Sequence, residues 1–193
     1  FLVEGDQVAI VSTARKISQE ELYPAIQVME NWGLKVVMSD ALFEVHHQFA
    51  GTEEQRLASL QQAMDDENIK AIVCARGGYG TVQLVDRLNF TKFSASPKWI
   101  VGYSDVTTLH IHINEQVKVE TIHGTMPINF PKDGTENEST LSLKAALFGG
   151  LSSYSFELHP LNIAGEASGE LIGGNLSILY SLSGTNSAVD MHG

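Results

Sequence analysis

The 193 residues suffice for one sizeable domain, or for one domain and a piece of another; 43% are hydrophobic and 18% charged, a globular composition rather than a disordered one. A formal net charge of −11 argues against a nucleic-acid backbone as partner, and no apolar run approaches the roughly 18 residues that cross a bilayer. A single cysteine, Cys74, excludes an internal disulfide and fits a reducing compartment.

In chain order, DQVAIVSTA (residues 6–14) predicts a short apolar strand ending in small residues. SQEELYPAIQVMENWG then predicts a helix: Ser18 and Glu21 have capping-box spacing, and Leu22, Ile26 and Met29 share one face. Gly33 is its stop, and LKVVMSD (34–40) is a second strand. A second helix starts after Thr52, with Leu57, Leu60 and Met64 on one face. KAIVCARGGYG (70–80) is a third strand entering a glycine-rich turn, and TVQLVDRLNF is a short helix. KWIVGYSD is a fourth strand, VTTLHIHINEQ a helix and VETIHGTM (119–126) a fifth strand. No secretory signal pattern precedes these elements.

Strands alternating with helices imply parallel pairing through crossovers, and strands apolar throughout imply helices on both faces. The fold class is therefore α/β, a doubly wound, mostly parallel sheet. Residues 1–150 read as this domain. The polar loop FPKDGTENEST and the helix LSLKAALFGG close it. Residues 151–165 read as a linker, and 166–193, rich in Ser and Gly with short β-like runs, as the beginning of an incomplete second domain.

Ligands of open α/β sheets bind at the carboxyl ends of strands. Two turns lie at such ends, ARGGYG (75–80) and GYSD (102–105), and strands adjacent in sequence tend to be adjacent in space. Ser104 sits on a strand-to-helix turn at the positive end of a helix. Its hydroxyl can be an exposed nucleophile, or it can simply cap that helix. The nucleophile-elbow pattern G-x-S-x-G is incomplete, since Gly102 is present but Val106 replaces the second glycine. As nucleophile, Ser104 would place the Asp105 N–H toward an oxyanion, with Gly77 or Gly78 as second donor. Arg76 can fork onto a substrate carboxylate, or pair with an acidic neighbour. His123, at a strand end, is a candidate base or cleft-lining residue. His110 lies well over one turn beyond Ser104 and points elsewhere. Cys74, inside an apolar strand, reads as a buried small hydrophobe. No Cys, His and carboxylate spacing suggests zinc.

In this order and spacing, ARGGYG, GYSD and TIHGTM, with GDQVAIVSTA before and GELIGGNLSIL (169–179) after them, resemble the LD-carboxypeptidase family of serine peptidases. That family includes murein tetrapeptide carboxypeptidases and microcin C immunity peptidases. The resemblance implies Ser104 as nucleophile and the N–H groups of Asp105 and Gly78 as oxyanion hole. Arg76, Gly77, Tyr79 and His123 would line the substrate. The reaction would hydrolyse an L-to-D amide bond and release a C-terminal D-amino acid from a muropeptide, with no metal or other cofactor. The resemblance also implies a bacterial cytoplasmic enzyme, a homodimer in full length, with a small peptide or muropeptide as partner and neither nucleic acid nor membrane. The family's catalytic Glu and His lie beyond the GGNL segment. Glu166, Glu170 and His192 do not match them, and Thr125 stands where the family usually carries proline. The expectation is a chain holding a nucleophile without its base, with negligible peptidase activity alone. The alternatives are a non-catalytic peptide- or sugar-binding domain, or another hydrolase pairing Ser104 with His123.

Overall fold

The computed structural model describes residues 1–151 and 153–190. Five parallel strands form one sheet in the order β2-β1-β3-β4-β5: β1 Gln7–Val11, β2 Lys35–Met38, β3 Ile69–Cys74, β4 Trp99–Gly102 and β5 Ile122–His123. The connecting helices are α1 Gln19–Asn31, α2 Glu53–Asp65, α3 Thr91–Ala95 and α4 Thr107–Val117, followed by α5 Glu138–Leu147 and α6 Leu176–Ser181.

The expected helix starts are present. Ser18 accepts the Glu21 N–H while Glu21 returns a bond to the Ser18 N–H, and Thr52 makes the same reciprocal box with Gln55. The sheet is covered on both faces because successive strand residues point to opposite sides. Val8 and Ile10 of β1, with Ala71 and Val73 of β3, pack under Leu22, Val28 and Met29 of α1 and Leu143 and Leu147 of α5. Ala9, Val11, Ile72 and Ile100 pack on the other side under Leu60 and Met64 of α2, Phe93 of α3, and Leu109 and Ile113 of α4. The doubly wound α/β architecture read from the pattern is the one observed.

Three local expectations differ. The segment 81–90 is not a helix but two 3-10 turns, Thr81–Gln83 and Val85–Arg87, with α3 following. Its first N–H is held by Asp105, and the adjacent Leu84 and Val85 are both buried, so tertiary contacts override a helical stripe. The fifth strand shrinks to two residues, Ile122 and His123, and the chain enters a 3-10 turn at Pro127–Asn129. No strand occurs among the described residues after 150. Phe156, Leu158, Ile163 and Leu171 are exposed there, with no sheet to join. Among the described residues no helix is long and apolar enough to cross a membrane.

The order 2-1-3 places the switch point between β1 and β3. The turns after β1, β3 and β4 all leave the same edge of the sheet, and the candidate site lies there.

Candidate active site

After β4 the backbone runs extended through Tyr103 and then folds sharply at Ser104, whose φ is 61°. A non-glycine residue in this left-handed region costs roughly 1–2 kcal/mol and persists only where the surroundings impose it. A 3-10 turn, Ser104–Val106, continues directly into α4. Ser104 is partly exposed, and its side chain makes no cap hydrogen bond to the helix it precedes. The capping explanation of this serine therefore does not hold. The strand end before it is fixed: the Gly102 carbonyl accepts from Gly124 N–H at 3.1 Å and lies 2.9 Å from His110 Nε2.

The glycine turn after β3 meets this elbow. A Cβ on Gly77 would lie 3.2 Å from Ser104 Cβ, 3.5 Å from Ser104 Oγ and 3.3 Å from Met126 Cε. A side chain here would crowd the elbow by a few tenths of an ångström, so glycine suits the close approach of the two turns. Gly78 and Gly80 continue the turn at positive φ, and the Arg15 side chain lies along Gly78. Among the described residues, the N–H groups of Gly77, Gly78 and Asp105 have no hydrogen-bond acceptor. They stand as free donors beside the serine.

Two buried residues brace this arrangement. The Asp105 carboxylate, 1% exposed, accepts from the Thr81 N–H at 3.0 Å and from the Thr81 hydroxyl at 2.6 Å. Thr81 Oγ1 is also hydrogen-bonded to Thr13 Oγ1 at 2.8 Å. Arg56 of α2 reaches in from below. Its Nη1 donates to the Thr13 carbonyl at 2.7 Å and the Gly80 carbonyl at 3.2 Å, its Nη2 donates to Gln83, and its guanidinium lies over the Phe49 ring. Burial lowers the Arg56 pKa, partly offset by the charges of Glu53 and Asp105. Sequence reading missed Arg56, Thr13 and Thr81. The one available signal was an arginine on the face of α2 that carries Leu60, Ala63 and Met64.

The remaining candidates are dispersed. Arg76 turns away to the Lys16 carbonyl, at 3.3 Å, and to Glu21, at 3.7 Å, so its cation already has acidic company. Tyr79 is 55% exposed. His123 pairs beside Gly102 in the sheet, and its ring sits 6.2 Å from that of Tyr103 and 6.0 Å from that of His110, with no hydrogen bond to Ser104. His110 is buried between Gly102 and Thr121, and burial pushes its pKa down to about 4, so its ring stays neutral. Cys74 is fully buried, and burial raises its thiol to about 12. Among the described residues no cluster of three His, Cys, Asp or Glu side chains could hold a metal. Glu166 and Glu170 are exposed, and His192 lies outside the described residues. The GGN segment comes close to the elbow: the Asn175 N–H donates to Thr107 Oγ1 at 3.0 Å, three residues beyond Ser104. An open groove of about 1400 Å³ extends from Tyr103 and His123 between α4 and α5, with residues 169–174 on one wall.

A doubly wound parallel sheet with a partly exposed serine on a strained turn, set against a glycine turn at the carboxyl ends of its strands, is a domain built to present a hydroxyl to a ligand. Residues 8–124 match the model of the LD-carboxypeptidase N-terminal domain. The chain belongs to the LD-carboxypeptidase family of serine peptidases. It is 35% identical to a probable murein peptide carboxypeptidase of Bacillus subtilis, covering 100% of this chain and 61% of that protein. It is 31% identical to a murein tetrapeptide carboxypeptidase of Pseudomonas aeruginosa, covering 93% of this chain and 61% of the relative. The crystal structure of a muramoyltetrapeptide carboxypeptidase from Oxalobacter formigenes shares the fold, with a TM-score of 0.80, 24% identity, and coverage of 95% of this chain and 62% of that one. The chain thus spans about three-fifths of the length of these relatives.

Proposed function

We propose that this chain carries the nucleophile half of a serine carboxypeptidase that hydrolyses an L-to-D amide bond and releases a C-terminal D-amino acid from a muropeptide. The observation that carries the reading is Ser104 itself, partly exposed at φ 61° and set against a glycine turn with unused N–H groups. Ser104 Oγ attacks the scissile carbonyl as a base takes its proton. The resulting oxyanion is held by the N–H groups of Asp105 and Gly78, with Gly77 alongside. Collapse expels the D-amino acid as its amine takes up the proton, and water then releases the acyl group from Ser104. Arg76, Tyr79 and His123 would line the peptide, Arg76 only after leaving Glu21.

No described histidine or carboxylate hydrogen-bonds Ser104, so the reading takes the base and its orienting carboxylate from outside the described residues. The 193 residues alone are then expected to be inactive, since an unassisted serine is a poor nucleophile at neutral pH. In this reading residues 1–150 form the nucleophile-bearing domain, 151–165 the linker and 166–193 the start of a second unit. Among the described residues from 151 to 175 there is neither helix nor strand, and Phe156, Leu158 and Ile163 are exposed, as suits a connecting stretch after the sheet domain. The whole enzyme would work in the bacterial cytoplasm as a homodimer. The test is D-alanine release from a murein tetrapeptide by the full-length gene product, its Ser104→Ala variant and the 193-residue chain. Release is expected only from the first. Equal release by the Ser104→Ala variant would overturn the reading.

A further inference from the structure

We infer that the Asp105 side chain is a positioning residue that sets the spacing between the two amide donors of the oxyanion hole. The inference rests on the proposed function and deepens it. The backbone N–H of Asp105 is one of the two donors, and the carboxylate of the same residue reaches across to the turn that supplies the other. That turn, residues 76–80, is anchored at both ends and unbonded in its middle. At its start, the Ala75 N–H donates to the Val11 carbonyl at 2.7 Å and the Ala75 carbonyl accepts from Ile128 N–H at 3.1 Å. At its finish, Thr81 gives both its N–H and its hydroxyl to Asp105 Oδ2. The 2.6 Å hydroxyl contact falls in the short range of bonds donated to a carboxylate, roughly twice as strong as neutral ones. Gly78 and Gly80 give the loop little stiffness of its own, so the distance between Gly78 N–H and Asp105 N–H depends on these anchors.

Burial makes the strut specific. Asp105 Oδ1 and Arg56 Nε are both buried without a hydrogen-bond partner among the described residues, so the carboxylate is bonded through one oxygen only. A buried carboxylate held this way is a costly device for merely closing a turn. Arg56 supplies the balancing charge and fixes the Gly80 and Thr13 carbonyls; among the described residues, Asp105–Thr81 is the one side-chain hydrogen-bonded link between the glycine turn and the elbow.

The experiment uses the full-length enzyme with a murein tetrapeptide as substrate and five variants, Thr81→Val, Thr81→Ser, Asp105→Ala, Ser104→Ala and the double variant Ser104→Ala/Thr81→Val. Removing an oxyanion donor costs about 10²–10³ in kcat, and loosening one should cost part of that, roughly 10- to 100-fold. Thr81→Val keeps the volume and the N–H but drops the hydroxyl. It is expected to lose about tenfold in kcat with KM within about twofold, while Thr81→Ser, which keeps the hydroxyl, stays near wild type. Asp105→Ala is expected to lose more; if it does not fold, the Thr81 pair decides alone. A Ser104→Ala/Thr81→Val double variant should bind the tetrapeptide as tightly as Ser104→Ala, because the strut acts on the transition state. Unchanged kcat in Thr81→Val, whatever its melting temperature, or a loss confined to KM, overturns the inference. If wild type and Ser104→Ala are equally active or equally silent, the proposed function fails, and the inference falls with it.

Discussion

Replacing Gly80 by alanine tests the packing of the glycine turn without depending on catalysis. Gly80 has φ 152°, a region in which an L side chain is strained by about 1–3 kcal/mol. The added Cβ would lie 3.0 Å from Ala14 Cα and 3.1 Å from the Thr13 carbonyl oxygen, both backbone atoms of the turn that follows β1, and 2.7 Å from Arg56 Nη1. None of these can swing aside, because Arg56 is pinned by Thr13, Gly80 and Gln83. Overpacking a tight site costs a further 1–3 kcal/mol or so. The low end of the sum, about 2 kcal/mol, should lower the melting temperature by roughly 4–8 °C at this chain length. Gly165, where an added methyl would have nothing within 4 Å and φ is not left-handed, is the control. Its alanine variant should move the midpoint by no more than about 2 °C. Thermal unfolding by circular dichroism reads both. A Gly80→Ala melt within 2 °C or so of wild type would refute the claim that the turn is locked against β1 and Arg56.

His110 should make stability depend on pH. Its folded-state pKa, about 4, lies below its usual 6.5, so between those values the unfolded chain binds a proton that the native chain refuses. Stability should fall as pH drops from about 6.5 to about 4, by about 3 kcal/mol in all, and His110→Gln should flatten that slope in denaturant titrations. Parallel slopes would show that the ring is not held neutral between Gly102 and Thr121. Cys74, buried and raised to about 12, should resist iodoacetamide in the native chain and react once unfolded; labelling under native conditions would contradict its place in the core.

Much of this protein was legible locally. The Ser18–Glu21 and Thr52 caps, the apolar strands and the places of the two turns depend on residues a few positions apart, and sequence carries such signals directly. The site turns were also found by pattern, because glycine after a strand and serine before a helix are local features. The tertiary structure alone decided what those turns do. It put β3 beside β4 so that Gly77 faces Ser104, forced Ser104 to φ 61°, and gave Arg76 to Glu21. It also broke the expected helix at 81–90 by assigning its first N–H to Asp105. The brace joining Thr13, Arg56, Thr81 and Asp105 spans separations of 24 to 68 residues. No periodicity reaches that far, since which buried polar groups find one another follows from strand order and packing rather than from neighbours along the chain.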